Sequence, residues 1–96
     1  MKYKKEVLDW ANDKNLIKKE NSMMQYIKVL EEVNEVGAAL VTNDADALED
    51  GLGDSLVTLI ILAAQNGLDI EDCLETAYNV IKNRTGKTVN GTFIKD

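Results

Sequence analysis

Two short acidic clusters hold the residues most capable of chemistry in this chain. The first is Glu31-Glu32-Val33-Asn34-Glu35. The second is Glu49-Asp50-Gly51-Leu52-Gly53-Asp54, followed at once by an apolar run from Ser55 to Ala64. Glu32 and Glu35 are three residues apart; Glu31 and Glu35, and likewise Asp50 and Asp54, are four apart. Residues at those spacings are neighbours on a helix surface, with Cβ atoms roughly 5–6 Å apart. Like charges so placed weaken a bare helix, and carboxylates set in apolar sequence are costly unless something positive neutralises them. A divalent cation shared by the two clusters meets both conditions. Asp54 is the sharpest single signal, as the only charged residue from Gly51 to Leu68. On a helix it shares a face with Val57, Thr58 and Ile61, so it sits at a rim, in an ion pair or on a metal. The first cluster is less specific, because its polar arc continues into Lys28 and Gln25 and reads also as a solvated helix face.

Composition narrows the chemistry further. The chain has no histidine, which removes imidazole acid–base catalysis and every zinc site that needs imidazole. Cys73 is the single cysteine, so there is no disulfide framework and no thiolate cluster. Any metal must be a hard ion held by oxygen. The net charge of −6 argues against a nucleic-acid polymer as partner, since phosphate backbones need a basic surface. A nucleotide stays open, because metal can bridge its phosphates to carboxylates. The longest apolar-rich run, Leu56 to Ala64, is far below the ~20 residues that cross a bilayer. The Lys-rich start has no apolar signal core, so a cytoplasmic protein with no membrane partner is expected. The 96 residues predict one domain, 1–96. A chain of that size buries only a little over ~60% of its unfolded surface, and self-association would help it.

Four helices are predicted to position these residues. Val7, Leu8 and Ala11 share one face of a helix over residues 3–14. Trp10, within it, is either a packing anchor or a ring that stacks on a base at a site mouth. Ser22 and Gln25 have capping-box spacing, so a second helix should start there and run to about Thr42. Met23, Ile27, Leu30, Ala38 and Val41 make one apolar stripe on it, and Tyr26, Val29, Val33, Val36 and Leu40 a second. Only the arc of Gln25, Lys28, Glu31, Glu32 and Glu35 stays polar. A helix apolar nearly all round is central to a bundle or to an interface between copies, which predicts a homodimer or a dimer of dimers. Asp44 is placed to cap a third helix from about Ala45 to Asn66, stopped by Gly67. Asp69 caps a fourth, whose stripe is Ile70, Cys73, Leu74, Ala77, Tyr78 and Ile81, with Gly86 as its end. The tail, Lys87 to Asp96, is a small hairpin or an extended arm around the turn dipeptide Asn90-Gly91. The fold class is all-α, with the second and third helices antiparallel neighbours across a short loop and their acidic clusters facing each other.

Leu30-Glu31-Glu32-Val33-Asn34-Glu35-Val36, followed by Leu52-Gly53-Asp54-Ser55-Leu56, resembles the MazG-type all-α nucleoside triphosphate pyrophosphohydrolases. The segment from Tyr78 to Phe93 is similar to small stand-alone, often phage-encoded, MazG-like proteins. The family motif is Glu-x-x-Glu, a spacer, then Glu-x-x-Asp; Glu32 and Glu35 match the first half and Asp54 the final acid. One position departs, because Gly51 stands where the family has Glu. Asp50, one position earlier and one turn from Asp54, is the candidate to supply the missing oxygen.

The resemblance implies a four-helix MazG-like bundle that hydrolyses a nucleoside triphosphate to the monophosphate and pyrophosphate, for house-cleaning or nucleotide-pool control. It implies Mg²⁺, with Mn²⁺ as an alternative, held by Glu32, Glu35, Asp54 and either Asp50 or Glu31. A carboxylate not committed to metal, Glu31 or Glu32, would take a proton from the attacking water. Basic and amide residues near the C-terminus, Asn79, Lys82, Arg84 and Lys87, would hold the phosphates, although Lys82 and Arg84 also fit a plain helix C-terminal role. Two rival readings remain: a catalytically weak helical oligomer that binds nucleotide or a protein partner, and a structural dimer whose acids are surface charge. Other motifs fail. Gly86-Lys87-Thr88 lacks the first glycine and the strand of a P-loop, and Asp44-Ala45-Asp46 lacks the EF-hand glycine.

Overall fold

Two aspartates set where the second half of the chain turns helical. The Asp44 carboxylate accepts from the Ala47 N–H at 3.0 Å, and the Asp69 carboxylate accepts from the Glu71 N–H at 2.7 Å. Each satisfies an N–H that a helix start leaves without a partner. The computed structural model describes residues 1–96 as α1 (Lys4–Asp13), a 3₁₀ turn (Lys19–Asn21), α2 (Ser22–Val41), α3 (Ala45–Gln65), α4 (Ile70–Ile81) and the strands β1 (Gly86–Val89) and β2 (Thr92–Lys95). The fold is all-α, with one small hairpin at its end. The α3 terminus closes with Gly67 N–H donating to Ala64 at 3.1 Å and Leu68 N–H to Ala63 at 2.9 Å, around a left-handed Gly67 at φ 71°.

Two expected boundaries differ. The Ser22–Gln25 capping box does not form. The 3₁₀ turn runs straight into α2, and Asn21 stands at its N-cap with no side-chain capping bond. Both predicted box residues are instead engaged across the helix pair: the Ser22 hydroxyl accepts from Asn66 Nδ2 at 3.0 Å, and buried Gln25 donates to the Thr58 carbonyl at 3.1 Å. Gly86 does not end α4, which stops at Ile81. Gly86 opens β1, where any Cβ would collide with the Ile94 carbonyl of the paired strand. Of the two predicted forms of the tail, the hairpin is the one adopted. Val89 pairs with Thr92, and Asn90 and Gly91 both take positive φ, 52° and 80°, as a two-residue turn requires.

The centre of the molecule is the α2–α3 pair. Ser22 meets Asn66 at one end and Val36 meets Gly51 towards the other, so the two helices run antiparallel. α1 crosses α3 and buries Ala11 fully. The connection after α1 is pinned by Gln65, whose Nε2 donates to the Leu16 carbonyl at 2.8 Å. α4 packs on α3 alone among the helices. Lys4 ties it to α1 through Asp69, at 2.8 Å.

The buried face of α2 carries part of its polar arc, as the expected meeting of the acidic clusters requires, and its apolar stripes are left largely exposed. Gln25, Val29, Glu32 and Ala39 point inward. Met23, Ile27, Leu30, Val33 and Leu40 are exposed, as are Leu74, Tyr78 and Ile81 on α4. Only 12 of 96 residues are buried, and the apolar ones are Ala11, Val29, Ala39, Ile60, Ile61 and Ala63. That core is small for the amount of apolar surface left in water, and large exposed apolar patches mark interaction surfaces. No helix is long and apolar enough to cross a membrane.

Candidate metal centre and adjoining cleft

Small side chains on α3 let α2 come close enough to share a site. Gly51 and Ser55 face α2 and are buried. The Ser55 hydroxyl returns its hydrogen to the Gly51 carbonyl at 2.7 Å, and Thr58 does the same to Ser55 at 2.8 Å. These hydroxyls are therefore satisfied on their own helix and demand nothing of α2. A Cβ at Gly51 would stand 3.0 Å from Val36 Cγ2 and 3.5 Å from Val36 Cα. A longer side chain at position 51 meets that wall. The glycine is thus tied to the close approach of the two helices, and the acid that the Glu-x-x-Asp motif expects has little room here.

Across this contact, Glu32 and Glu35 of α2 converge with Asp54 of α3. One carboxylate oxygen from each lies within 4.8 Å of the others. Glu32 is the buried member, 8% exposed. Its Oε1 lies 3.6 Å from Lys28 Nζ, and its Oε2 is buried with no hydrogen-bond partner. An unpartnered buried acceptor costs about 1–3 kcal/mol, more when charged. Three carboxylates, one of them with an unsatisfied oxygen, make an all-oxygen donor set, which suits a hard divalent cation. Glu35 and Asp54 are exposed, so an ion held there keeps access to water. Lys28 is the one cation beside the group. The hydrogen bond to Glu31, 3.4 Å away, followed by the charges of Glu31 and Glu32, holds its ammonium above the ordinary lysine pKa.

A cleft of about 610 Å³ opens beside the acids, with Glu32 and Asp54 on its wall. That volume lies within the ~300–1,000 Å³ common for small-molecule sites. Leu16, Met24, Val57 and Ile61 give it an apolar surface; Asn21, Gln25, Thr58 and Gln65 give it polar groups. Trp10 lines it too and is 52% exposed, so its ring is available to a ligand. Asp54, Val57, Thr58 and Ile61 do share one face, as their spacing predicts, and that face is the cleft wall.

Residues 18–89 match the family model described as the MazG nucleotide pyrophosphohydrolase domain. The chain belongs to this family. Over 65 residues it is 37% identical to an uncharacterized 18.2 kDa protein in the rep-hol intergenic region of Haemophilus phage HP1 (strain HP1c1). That stretch is 68% of this chain and 40% of the phage protein, so the chain spans about two-fifths of that relative's length. No solved structure matches.

The MazG motif acids Glu32, Glu35 and Asp54 are brought together, whereas Glu31 and Asp50 lie outside their group. Glu31 is exposed and bonded to Lys28; Asp50 is exposed one turn before Asp54. Asn79 in the last turn of α4, Lys82 at its C-cap, Arg84 beyond it and Lys87 in β1 are all exposed, and none lines the cleft of its own chain. The basic residue at the cleft is Lys28. Sequence reasoning missed Asn21 and Gln65, and took Gln25 for a cap. Gln65 carried one signal: it continues the 54–58–61 face by one more turn and is a polar residue closing an apolar run.

Proposed function

We propose that this MazG chain is a Mg²⁺-dependent nucleoside triphosphate pyrophosphohydrolase, converting a ribo- or deoxynucleoside triphosphate to the monophosphate and pyrophosphate. The observation that carries the reading is the convergence of Glu32, Glu35 and Asp54, two of which, Glu32 and Asp54, line a cleft of nucleoside size. In this reading those three acids hold Mg²⁺, or Mn²⁺ in its place, with Asp50 nearby as a further oxygen. The bound ion supplies neutralisation of phosphate charge and a more acidic water. A water would add across the α–β phosphoanhydride bond, which would break to give the monophosphate and pyrophosphate. A carboxylate not committed to the ion, Glu31 or Glu32, would receive the proton. Trp10 lies against the base, where stacking is favourable for any π-face.

The exposed apolar faces of α2 and α4 support assembly into a homodimer or homotetramer. Assembly is also the route by which Asn79, Lys82, Arg84 and Lys87 reach a cleft and hold phosphate. The reaction suits cytoplasmic house-cleaning or nucleotide-pool control. The test is incubation with a panel of ribo- and deoxynucleoside triphosphates plus Mg²⁺, with pyrophosphate measured. Release from at least one, lost in Asp54→Asn, is expected; no release from any overturns the reading. Light scattering that finds only the 10.6 kDa monomer removes the assembly.

Gly51 favours one rival. A MazG chain without the third motif acid is read alternatively as a nucleotide-binding oligomer with little or no hydrolysis. Nucleotide that quenches Trp10 fluorescence, with no pyrophosphate formed, selects that rival.

A further inference from the structure

The cleft has a direction, fixed by which residues of α2 meet which of α3. Glu32 and Asp54 converge at one end. Two turns along α2 from Glu32, Gln25 is bonded to the Thr58 carbonyl; at the other end Asn21 and Gln65 both reach the Leu16 carbonyl. Trp10 lines the cleft from the last turn of α1, the helix that leads to Leu16. Lys28 stands between these ends, one turn and so about 6 Å along the axis from Glu32. It is the only cationic side chain on the cleft wall. Its ammonium lies 3.4 Å from a Glu31 oxygen and 3.6 Å from Glu32 Oε1. Both separations exceed the ~2.7–3.2 Å of a well-formed bond from nitrogen to oxygen, and the side chain is 55% exposed. An exposed pair of that kind contributes little to folding, so the fold alone does not account for a cation at this place.

We infer that Lys28 holds the phosphate next to the sugar, in a subsite between the metal-binding acids and the part of the cleft that takes the nucleoside. The inference deepens the nucleotide reading of this site and rests on it. A nucleotide with its base against Trp10 and its phosphates approaching Glu32 and Asp54 carries its first phosphate past the middle of the cleft, where Lys28 stands. An ammonium there offers three N–H donors and an opposite charge to the phosphate oxygens, on a wall whose other charged residues are acids. Glu32 does not compete for it once a divalent ion shares that carboxylate, because the charge of the ion cancels the attraction. Glu31 remains as the resting partner of Lys28 in the empty cleft. A charge-assisted contact of this kind corresponds to roughly ten- to a hundredfold in affinity, and the exposure of Lys28 sets it at the lower end. Trp10 serves nucleoside and nucleotide alike, so the phosphate end decides between them.

The test uses the full chain in Mg²⁺, with the four common deoxynucleoside monophosphates and the matching deoxynucleosides as probes, so that binding is read without hydrolysis. Calorimetry or Trp10 quenching gives the affinity ratio within each pair. For at least one base the wild type should prefer the monophosphate. Lys28→Met and Lys28→Gln, near lysine in length but uncharged, should lower that preference about tenfold while nucleoside affinity and circular dichroism stay those of the wild type. Lys28→Arg, which keeps the charge, should keep the preference. A preference unmoved in both uncharged variants, or lost equally in Lys28→Arg, overturns the inference, as does the absence of any monophosphate binding. Mg²⁺ without nucleotide checks for a merely structural role. It should raise the melting temperature of Lys28→Met at least as much as that of the wild type, because a competing cation has gone. A smaller rise makes Lys28 a support of the acids and overturns its phosphate role. Pyrophosphate assays separate the two layers. Turnover with a preference that ignores Lys28 removes the role of Lys28 and leaves the hydrolase, whereas a Lys28-dependent preference without turnover removes the hydrolase and leaves the role of Lys28.

Discussion

Replacing Asp54 by Asn should move stability in opposite directions with and without metal. In the metal-free protein, Asp54 stands within 4.8 Å of carboxylate oxygens from both Glu32 and Glu35. At that separation in a water-like dielectric, each like-charge pair costs about 0.9 kcal/mol, so two cost about 2 kcal/mol. The pair on Glu35 is exposed, and salt with a Debye length near 8 Å roughly halves such terms, which leaves about 1 kcal/mol. Asn keeps the side-chain shape and removes the charge. Asp54 is also well beyond the first turn of α3, where a helix dipole would have compensated it. The variant should therefore melt higher in chelator, by about 4–8 °C for a domain of this size. Mg²⁺ reverses the order. At a hundred times its dissociation constant, an ion bound only by the folded state adds about 2.7 kcal/mol to the wild type, and the variant forfeits most of that gain. The assay is a pair of thermal melts, one in chelator and one in Mg²⁺, on both proteins. Curves that fail to cross, with Asp54→Asn no more stable in chelator and equally raised by Mg²⁺, would refute the shared site.

Three further outcomes are expected. Trp10→Ala should weaken nucleotide binding by about 1–3 kcal/mol, the range for one base stacked on an aromatic ring; because the ring is half in solvent, the melting temperature should move little. Acidification should expose the Lys4–Asp69 contact. The hydrogen bond from Lys4, with the Glu71 N–H next, holds the Asp69 carboxyl below its ordinary value of 3.8. Its contribution is present above that value and is lost as pH falls through the lower folded value, so wild-type melts should drop more steeply below about pH 4 than those of Asp69→Asn, which keeps the helix cap but not the charge. Parallel acid limbs would show the contact to be idle. Ile60→Ala, at a position 4% exposed, should cost about 2–5 kcal/mol in urea unfolding; a cost under ~1 kcal/mol would show that α3 is not packed as described.

Where a boundary depends on neighbours in sequence, it is legible in sequence. Asp44, Gly67 and Asp69 act within a turn of their own position, and each does the job its type and place imply. Asp54 was legible for another reason, since a single charge in an apolar helix has few places to go. Ser22 and Gln25 were misleading because a capping box and a pair of inter-helix hydrogen bonds need the same side chains, and sequence spacing shows only the first. Gly86 followed the same pattern: after a helical stripe it looks like a stop, whereas what requires it is a carbonyl on a strand eight residues later. Gln65 and Asn21 were invisible as site residues, because their orientation is set by the Leu16 carbonyl, which belongs to a loop with no periodicity to read.

The face of α2 ties these points together. Its acids were expected to meet those of α3, and Gln25 and Glu32 are buried on that side, while most positions of the two apolar stripes are not. The inward polar residues are not a packing error, because Gln25 is bonded to Thr58 and Glu32 faces Asp54 across a contact that Gly51 keeps close. The helix pair thus spends its best-packed face on a charged site that opposes folding without an ion, while the apolar surface able to offset that cost points outward. Stability and site are therefore separable by mutation. Charge removal at Asp54 should strengthen the metal-free fold and weaken the site. Polar substitution at Leu30 or Leu74 should leave the acids of the chain in place and act on whatever covers those faces.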